Sequence, residues 1–248
     1  MNVTSLKGKL AELAEHPYLN FIVNLNFGTT TGAAFDDVFE IRKTIDEVKN
    51  DNWKYTVHMD AAFYGPTLPV LKQYGDFSTR LSECGIDTVT ISLWKFLGVQ
   101  VPCGVALSTK PFTDKAFEDD NFVEYVQMQD KVALVGTRSG IAAASALNVM
   151  KSLKMHIDTA ILKNVVDYNL GLAEYLVSKL ELFYAKDQIK RTYFNVIFPR
   201  SAIPEEVIIK YMLMRVGLTH LQSIILINVN KALIDEFIEE VKLYLPLL

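Results

Sequence analysis

The sequence predicts an α/β protein with a mainly parallel sheet, joined to a small C-terminal α+β region. Three observations carry this. Short β-rich runs near residues 21–26, 55–58 and 87–92 alternate with helical patterns. The segments that come after those runs hold small or polar residues: Gly28-Thr29-Thr30, Asp60, and Ser92 with Lys95. From about residue 141 to 182 apolar residues recur at helical spacing, and from about 184 onward short strand and helix patterns mix.

The elements run in this order. Leu6, Leu10, Leu13 and Ala14 share one helical face, which predicts a surface helix over roughly 3–15, stopped by Pro17. The run 21–26 is a strand leading into a loop of small residues, Phe27 to Gly32. Asp36 and Asp37 are candidate caps for a helix whose apolar face is Val38, Ile41, Ile45 and Val48. The strand 55–58 runs directly into Met59-Asp60-Ala61-Ala62, and Pro66 and Pro69 interrupt any regular element beyond it. A short helix is expected over 77–83, a strand over 87–92, and its neighbour over 104–108. Beyond Lys110 the chain reads as polar loop, with Glu118-Asp119-Asp120 as a solvated patch. Leu147, Met150, Ile157, Ile161, Val165 and Leu172 fit one or two long helices. Residues 195–198 read as a strand, 224–228 as another, and 204–214 and 233–243 as amphipathic helices. The expected division is 1–150 for the large domain, 151–183 for a connecting helix, and 184–248 for a small C-terminal domain.

At 248 residues the chain is long enough to bury a sizeable core. Half of it is apolar and 22% is charged, the balance of an ordinary globular protein. A net charge of −4, with no basic run interleaved with aromatics, argues against nucleic acid as a partner. Two cysteines, Cys84 and Cys103, make no disulfide framework and fit a reduced compartment. No apolar run approaches the ~20 residues needed to span a bilayer, and the first 15 residues lack the unbroken apolar centre of a signal peptide. A cytoplasmic protein without membrane partners is expected. No spacing of His, Cys, Asp or Glu suggests a metal.

In a parallel sheet, ligands gather at the carboxyl ends of the strands. Gly28-Thr29-Thr30, Asp60 and Lys95 converge there in this reading. A lysine at the end of an inner strand is costly unless exposed, paired or used covalently. Read on its own stretch, Lys95 is equally a lysine that snorkels out of a turn. Paired with Asp60 it has a chemical use. An amine able to form a Schiff base, beside a carboxylate able to keep a pyridine nitrogen protonated, is what pyridoxal phosphate requires. Ala61 and Ala62 are small enough for a flat ring to lie against them.

His58-Met59-Asp60-Ala61-Ala62-Phe63-Tyr64-Gly65, followed by residues 85–98 with Lys95 and by Pro102-Cys103-Gly104, resembles the group II pyridoxal-phosphate-dependent amino-acid decarboxylases. The bacterial histidine decarboxylases of that group are the nearest likeness. The threonine-rich loop at 28–32 with Asp36-Asp37, the segment Asp130-Lys131 with Gly136-Thr137-Arg138-Ser139-Gly140, and residues 194–199 extend the resemblance along the chain. It implies a type I, aminotransferase-like large domain lacking an N-terminal portion. It also implies the cofactor pyridoxal 5'-phosphate and decarboxylation of an L-amino acid.

The resemblance assigns roles by position. Lys95 is the Schiff-base lysine and Asp60 the partner of the pyridine nitrogen. Ala62 packs on the ring, Ser92 helps hold the phosphate, and Thr29 or Thr30 lines the cofactor and substrate region. Gly136 and Thr137 reach the phosphate of the opposite subunit in a dimer. Two departures stand out. Leu93-Trp94 precedes the lysine where the family keeps a small residue or proline and then a histidine. An indole supplies one N–H donor and no acid/base function, so Trp94 reads as a packing residue. The family's upstream Gly-rich phosphate segment and ring-stacking histidine have no counterpart in these residues. A homodimer, or a complex with a chain supplying the N-terminal half, is therefore expected. The alternatives are an inactive member or half of a split enzyme kept for binding or assembly, and a cofactor enzyme whose chemistry Trp94 has altered.

Overall fold

In the computed structural model, residues 1–71, 81–116, 139–155 and 157–247 are described. The first part is built from α1 (Val3–Glu12), β1 (Leu19–Asn26), α2 (Val38–Val48), β2 (Trp53–Asp60), α3 (Leu81–Cys84), β3 (Thr88–Ser92) and β4 (Gly104–Ser108). Its strands form one sheet in the order β1-β2-β3-β4. β1, β2 and β3 are parallel and β4 runs antiparallel to β3. The mainly parallel sheet read from the alternation is thus present, with residues 104–108 as the expected neighbour.

The sheet has a buried and an open face because its side chains alternate. Val23, Leu25, Val57, Met59 and Val89 are buried on one face. Ile41 and Ile45 of α2 are buried in the same core, spaced four residues apart as a helix requires. Asp37 caps α2 by accepting from the backbone N–H groups of Phe39 and Glu40. Asp36 does not share that task. It accepts from the backbone and side chain of Asn26 and so ties the loop to the end of β1. On the opposite face Asn24, Asp60, Thr90 and Ala106 are exposed, and Ile22 is 74% exposed.

The second part comprises α4 (Lys110–Ala116), α5 (Gly140–Ser152), α6 (Ala160–Leu180), β5 (Lys190–Thr192), β6 (Asn195–Pro199), α7 (Glu205–Lys210), β7 (Met214–Val216), β8 (His220–Ile224) and α8 (Lys231–Val241). β5 to β8 form a separate antiparallel sheet in the order β5-β6-β8-β7. The long helix α6 packs on β5, β6 and α8. Leu172, Leu176, Leu180, Val196, Phe198, Leu221, Phe237 and Val241 are buried among these elements.

Three expectations need correction. Residues 110–116 are helical, not loop, because a Lys110–Asp114 pair at helical spacing and the Thr113 hydroxyl bonded to the Thr109 carbonyl hold that turn. The second C-terminal strand lies at 220–224 and not at 224–228. Its polar residues His220, Gln222 and Ser223 hid it from a search for an apolar run. The helix expected over 204–214 ends at Lys210; Met212 takes a positive φ of 52° and Met214 already begins β7. Of the helix expected over 77–83, the described part is α3. The expected acidic patch 118–120 lies outside the described residues.

Candidate active site

The ends of β1, β2 and β3 lie side by side. The register places Asn26 opposite Asp60, and Asp60 opposite Thr90. Asp60 is the last residue of β2 and is exposed. Its Oδ1 accepts from the Ala62 backbone N–H at 3.0 Å, which fixes the carboxylate against the first turn of its own loop. Ala62 is partly buried, and its carbonyl accepts from the Ser92 N–H at 3.0 Å. That bond joins the loop after β2 to the end of β3. Lys95 lies three residues further on, in the turn after β3, with its backbone N–H 3.4 Å from the Ser92 carbonyl. Asp60, Ala62, Ser92 and Lys95 therefore belong to one hydrogen-bonded junction at the ends of two adjacent parallel strands. Lys95 forms no ion pair among the described residues.

Trp94 is not a packing residue. It is 46% exposed, and the Lys95 ammonium stands 5.7 Å from its ring centroid. His58 occupies the same face as Asp60, two residues earlier, where its Nδ1 lies 2.8 Å from the Thr88 hydroxyl. His220 lies on β8.

The loop after β1 is the third wall. The Thr29 hydroxyl donates to the Thr31 carbonyl and accepts from the Ala34 N–H, so it is engaged within its own loop. Thr30 is exposed, and its carbonyl accepts from two buried amides, Asn195 at 3.0 Å and Gln222 at 2.9 Å. Gln222 also accepts from the Gly32 N–H at 2.8 Å. Asn195 and Gln222 are 1% and 0% exposed, and both come from the C-terminal sheet. Gly136 and Thr137 lie outside the described residues.

Sequence reasoning missed the residues that hold these loops together. Tyr64 is fully buried and donates its hydroxyl to Asn195 Oδ1 at 2.9 Å. Burial drives its phenol well above the ordinary tyrosine range. Its ring leaves no room beside Gly28: a Cβ there would stand 2.1 Å from Tyr64 Cδ2. Phe194 stacks on Tyr64 with centroids 5.4 Å apart, and on Phe96 at the same distance. Tyr64 follows Asp60 by four residues and Phe96 follows Lys95 directly. One C-terminal ring thus sits between the two loops of the junction. Tyr64-Gly65 beside the Asp60 motif was a usable signal; nothing local to Asn195, Phe194 or Gln222 marks their partners some 130 to 190 positions away.

The pattern of the pyridoxal-dependent decarboxylase conserved domain matches residues 1–181 of this chain. The histidine decarboxylase of Vibrio campbellii is 29% identical over 185 residues, covering 75% of this chain and 45% of that protein. That of Morganella morganii is 28% identical over 195 residues, covering 78% and 48%. Rice serine decarboxylase 2 is 32% identical over 142 residues, covering 57% and 28%. The chain spans about half the length of the bacterial relatives it matches. Among solved structures, the L-methionine decarboxylase of Streptomyces sp. 590 superposes with a TM-score of 0.74 at 18% identity, covering 98% of this chain and 57% of that one. Mouse CSAD gives 0.71 at 18% identity, with coverage of 98% and 56%. These two share the fold.

Proposed function

Because the chain belongs to the pyridoxal-dependent decarboxylase family, we propose that it forms the part of an L-amino-acid decarboxylase that holds pyridoxal 5'-phosphate through Lys95 and Asp60. The observation that carries this is the junction itself. An exposed carboxylate and a lysine amine stand at the ends of neighbouring parallel strands, on loops bonded to each other. The donor set suits the cofactor: an amine for its aldehyde, a carboxylate for its ring nitrogen, and a small Ala62 bonded to that carboxylate.

When bound, pyridoxal phosphate supplies the electron sink that makes loss of carbon dioxide from an amino acid feasible. The chain's own residues provide the setting. Lys95 Nζ is the attachment point. Asp60 keeps a proton on the pyridine nitrogen, and the Ala62 N–H holds the Asp60 carboxylate in orientation. Ser92, partly buried at the end of β3 and on the face that carries Asp60, is the candidate for the phosphate. Thr29 and Thr30 contribute the loop wall, and Gly136 with Thr137 would serve the opposite subunit. Trp94 places an indole, 5.7 Å from the Lys95 ammonium, where an imidazole would offer a base, so proton handling falls to other groups. The substrate reading is histidine-decarboxylase-like, on the strength of the bacterial relatives.

The test is direct. The chain is mixed with pyridoxal phosphate, reduced with borohydride and digested, and the labelled peptide is found by mass spectrometry. A cofactor adduct on Lys95 is expected, with the accompanying visible absorbance band lost in Lys95→Ala. A label scattered over surface lysines, unchanged in that variant, would defeat the assignment.

The assembly reading rests on the open sheet face and on β1 and β4, which among the described residues are unpaired edges of their sheet. A parallel sheet is ordinarily covered on both faces. A second copy, or a chain supplying the rest of the fold, is proposed to cover this one. Sedimentation should show a species larger than the 28.0 kDa chain, alone or with that partner; a monodisperse monomer under both conditions counts against it. No helix among the described residues is long and apolar enough to cross a membrane. With only two cysteines, Cys84 and Cys103, the chain has too few for a disulfide framework, which suits the cytoplasm as the proposed compartment.

A further inference from the structure

The turn after β3 holds a large aromatic ring in solvent on a fixed backbone. Leu93 and Phe96 are buried on either side of Trp94 and Lys95. The Leu93 N–H donates to the Cys103 carbonyl at 3.1 Å and the Lys95 N–H to the Ser92 carbonyl at 3.4 Å. Packing therefore does not account for the exposed indole, whose centroid lies 5.7 Å from the Lys95 ammonium. Lys49, Lys179 and Lys210 each stand over a tyrosine ring as well, but each also pairs with a carboxylate. Lys95 has the ring and, among the described residues, no ion pair. Indole is the best of the aromatic faces for a cation, and the attraction acts on the ammonium, not on the neutral amine.

We propose that Trp94 is a positioning residue for Lys95: its indole face holds the side chain as an ammonium beside the end of β3 and so sets how readily the amine becomes free to react. The inference rests on the reading of Lys95 as the cofactor's attachment point. An ammonium has no lone pair to give. Lys95 must leave the ring and pass a proton to water before its nitrogen can bond the aldehyde carbon. The aldehyde oxygen then departs as water with the two protons the amine still carries. Among the described residues, the end of β2 and its loop bring Asp60 and Tyr64 to this turn, and the chain before β4 brings Cys103. The C-terminal side brings the uncharged Phe194 and Ile227. Substitution of Trp94 leaves all of these in place.

The experiment labels the full chain with acetic anhydride at neutral pH and reads each lysine by mass spectrometry, the other lysines serving as internal standards. Acetylation needs the neutral amine and no cofactor. In Trp94→Leu, Lys95 is expected to react about two- to fivefold faster than in the parent, the factor equivalent to an exposed cation–π contact of about 0.5–1 kcal/mol. Trp94→Phe, which keeps a weaker aromatic face, should fall between them. At about pH 11, where lysine amines are mostly neutral, the three should converge, because only the held charge separates them. Capture of pyridoxal phosphate on Lys95, trapped with borohydride at neutral pH, should rise by the same factor as acetylation. An unchanged or slower Lys95 in Trp94→Leu overturns the proposal. A gain of equal size at both pH values also overturns it, since that would mark the ring as a steric shield. The expected labelling, with no pyridoxal adduct on Lys95 in any of the three chains, supports the hold on the ammonium and refutes the cofactor reading instead.

Discussion

Replacing Gln222 and Asn195 by leucine, singly and together, tests whether the C-terminal sheet holds the threonine loop. Gln222 makes two hydrogen bonds to that loop, from the Gly32 N–H and to the Thr30 carbonyl. At about 1 kcal/mol net for each such bond, Gln222→Leu should cost about 2 kcal/mol of folding stability. Asn195→Leu loses the bond to the Thr30 carbonyl and the one from the Tyr64 hydroxyl, again about 2 kcal/mol by the same reckoning. The informative quantity is the double variant. In either single variant the Thr30 carbonyl keeps one amide donor; in the double it loses both. The double should therefore exceed the sum of the singles by about 1 kcal/mol, the signature of residues that share a partner. Urea unfolding with linear extrapolation measures all four corners of the cycle, provided the slope m stays constant. Additivity within about 0.5 kcal/mol would refute the shared clamp. As a second readout, cofactor capture on Lys95 should persist in both single variants, since neither residue touches the junction of Asp60 and Lys95.

Tyr64 sets two further outcomes. Gly28→Ala forces a Cβ into the buried Tyr64 ring and demands a φ of +84° from an L-residue, so a loss of about 2–4 kcal/mol is expected in the same urea assay, from overpacking and backbone strain combined; a loss under about 0.5 kcal/mol, the range of an ordinary surface change, would show that the ring has room to move. Tyr64→Phe changes the pH dependence: burial raises the phenol's folded-state pKa, so above about pH 10 the unfolded chain gives up that proton first and the folded form loses its advantage as pH rises. The difference in stability between parent and Tyr64→Phe should be flat below that pH and then fall at up to about 1.4 kcal/mol per pH unit; a flat difference throughout would mean that the phenol is solvated.

Much of the first sheet was legible because its information is local. Alternation of apolar residues in β1 and β2 sets which face is buried, and the Asp37 cap and the spacing of Ile41 and Ile45 mark α2. Asp60 and Lys95 were legible because strand ends in a parallel sheet bring polar residues together whatever lies between them. β8 was misplaced because its side chains are chosen for a distant task. Gln222 is polar on a strand so that it can reach a loop 190 residues earlier, and that choice erases the apolar run a strand search depends on. The turn at Met212 is likewise invisible, since a bulky residue with positive φ carries no turn signature of the kind Gly or Asn provides.

Those distant contacts decide how the site is kept in shape. Asp60 ends β2 and Lys95 lies in the turn after β3, where the Ala62 N–H holds the carboxylate but the neighbouring Trp94 indole is exposed. Rigidity has to come from behind. Phe194 supplies it by stacking on Tyr64 and Phe96 at once, which couples the two loops through a single ring from the C-terminal sheet. Asn195, its neighbour, bonds Tyr64 and the threonine loop together. A cut near residue 184 would therefore not release a self-sufficient cofactor-binding unit. It would strip Tyr64 and Phe96, both fully buried, of their stacking partner and leave the Thr30 carbonyl without its amides. The C-terminal sheet is thus part of the candidate site's scaffold although it contributes none of the residues proposed to touch the cofactor.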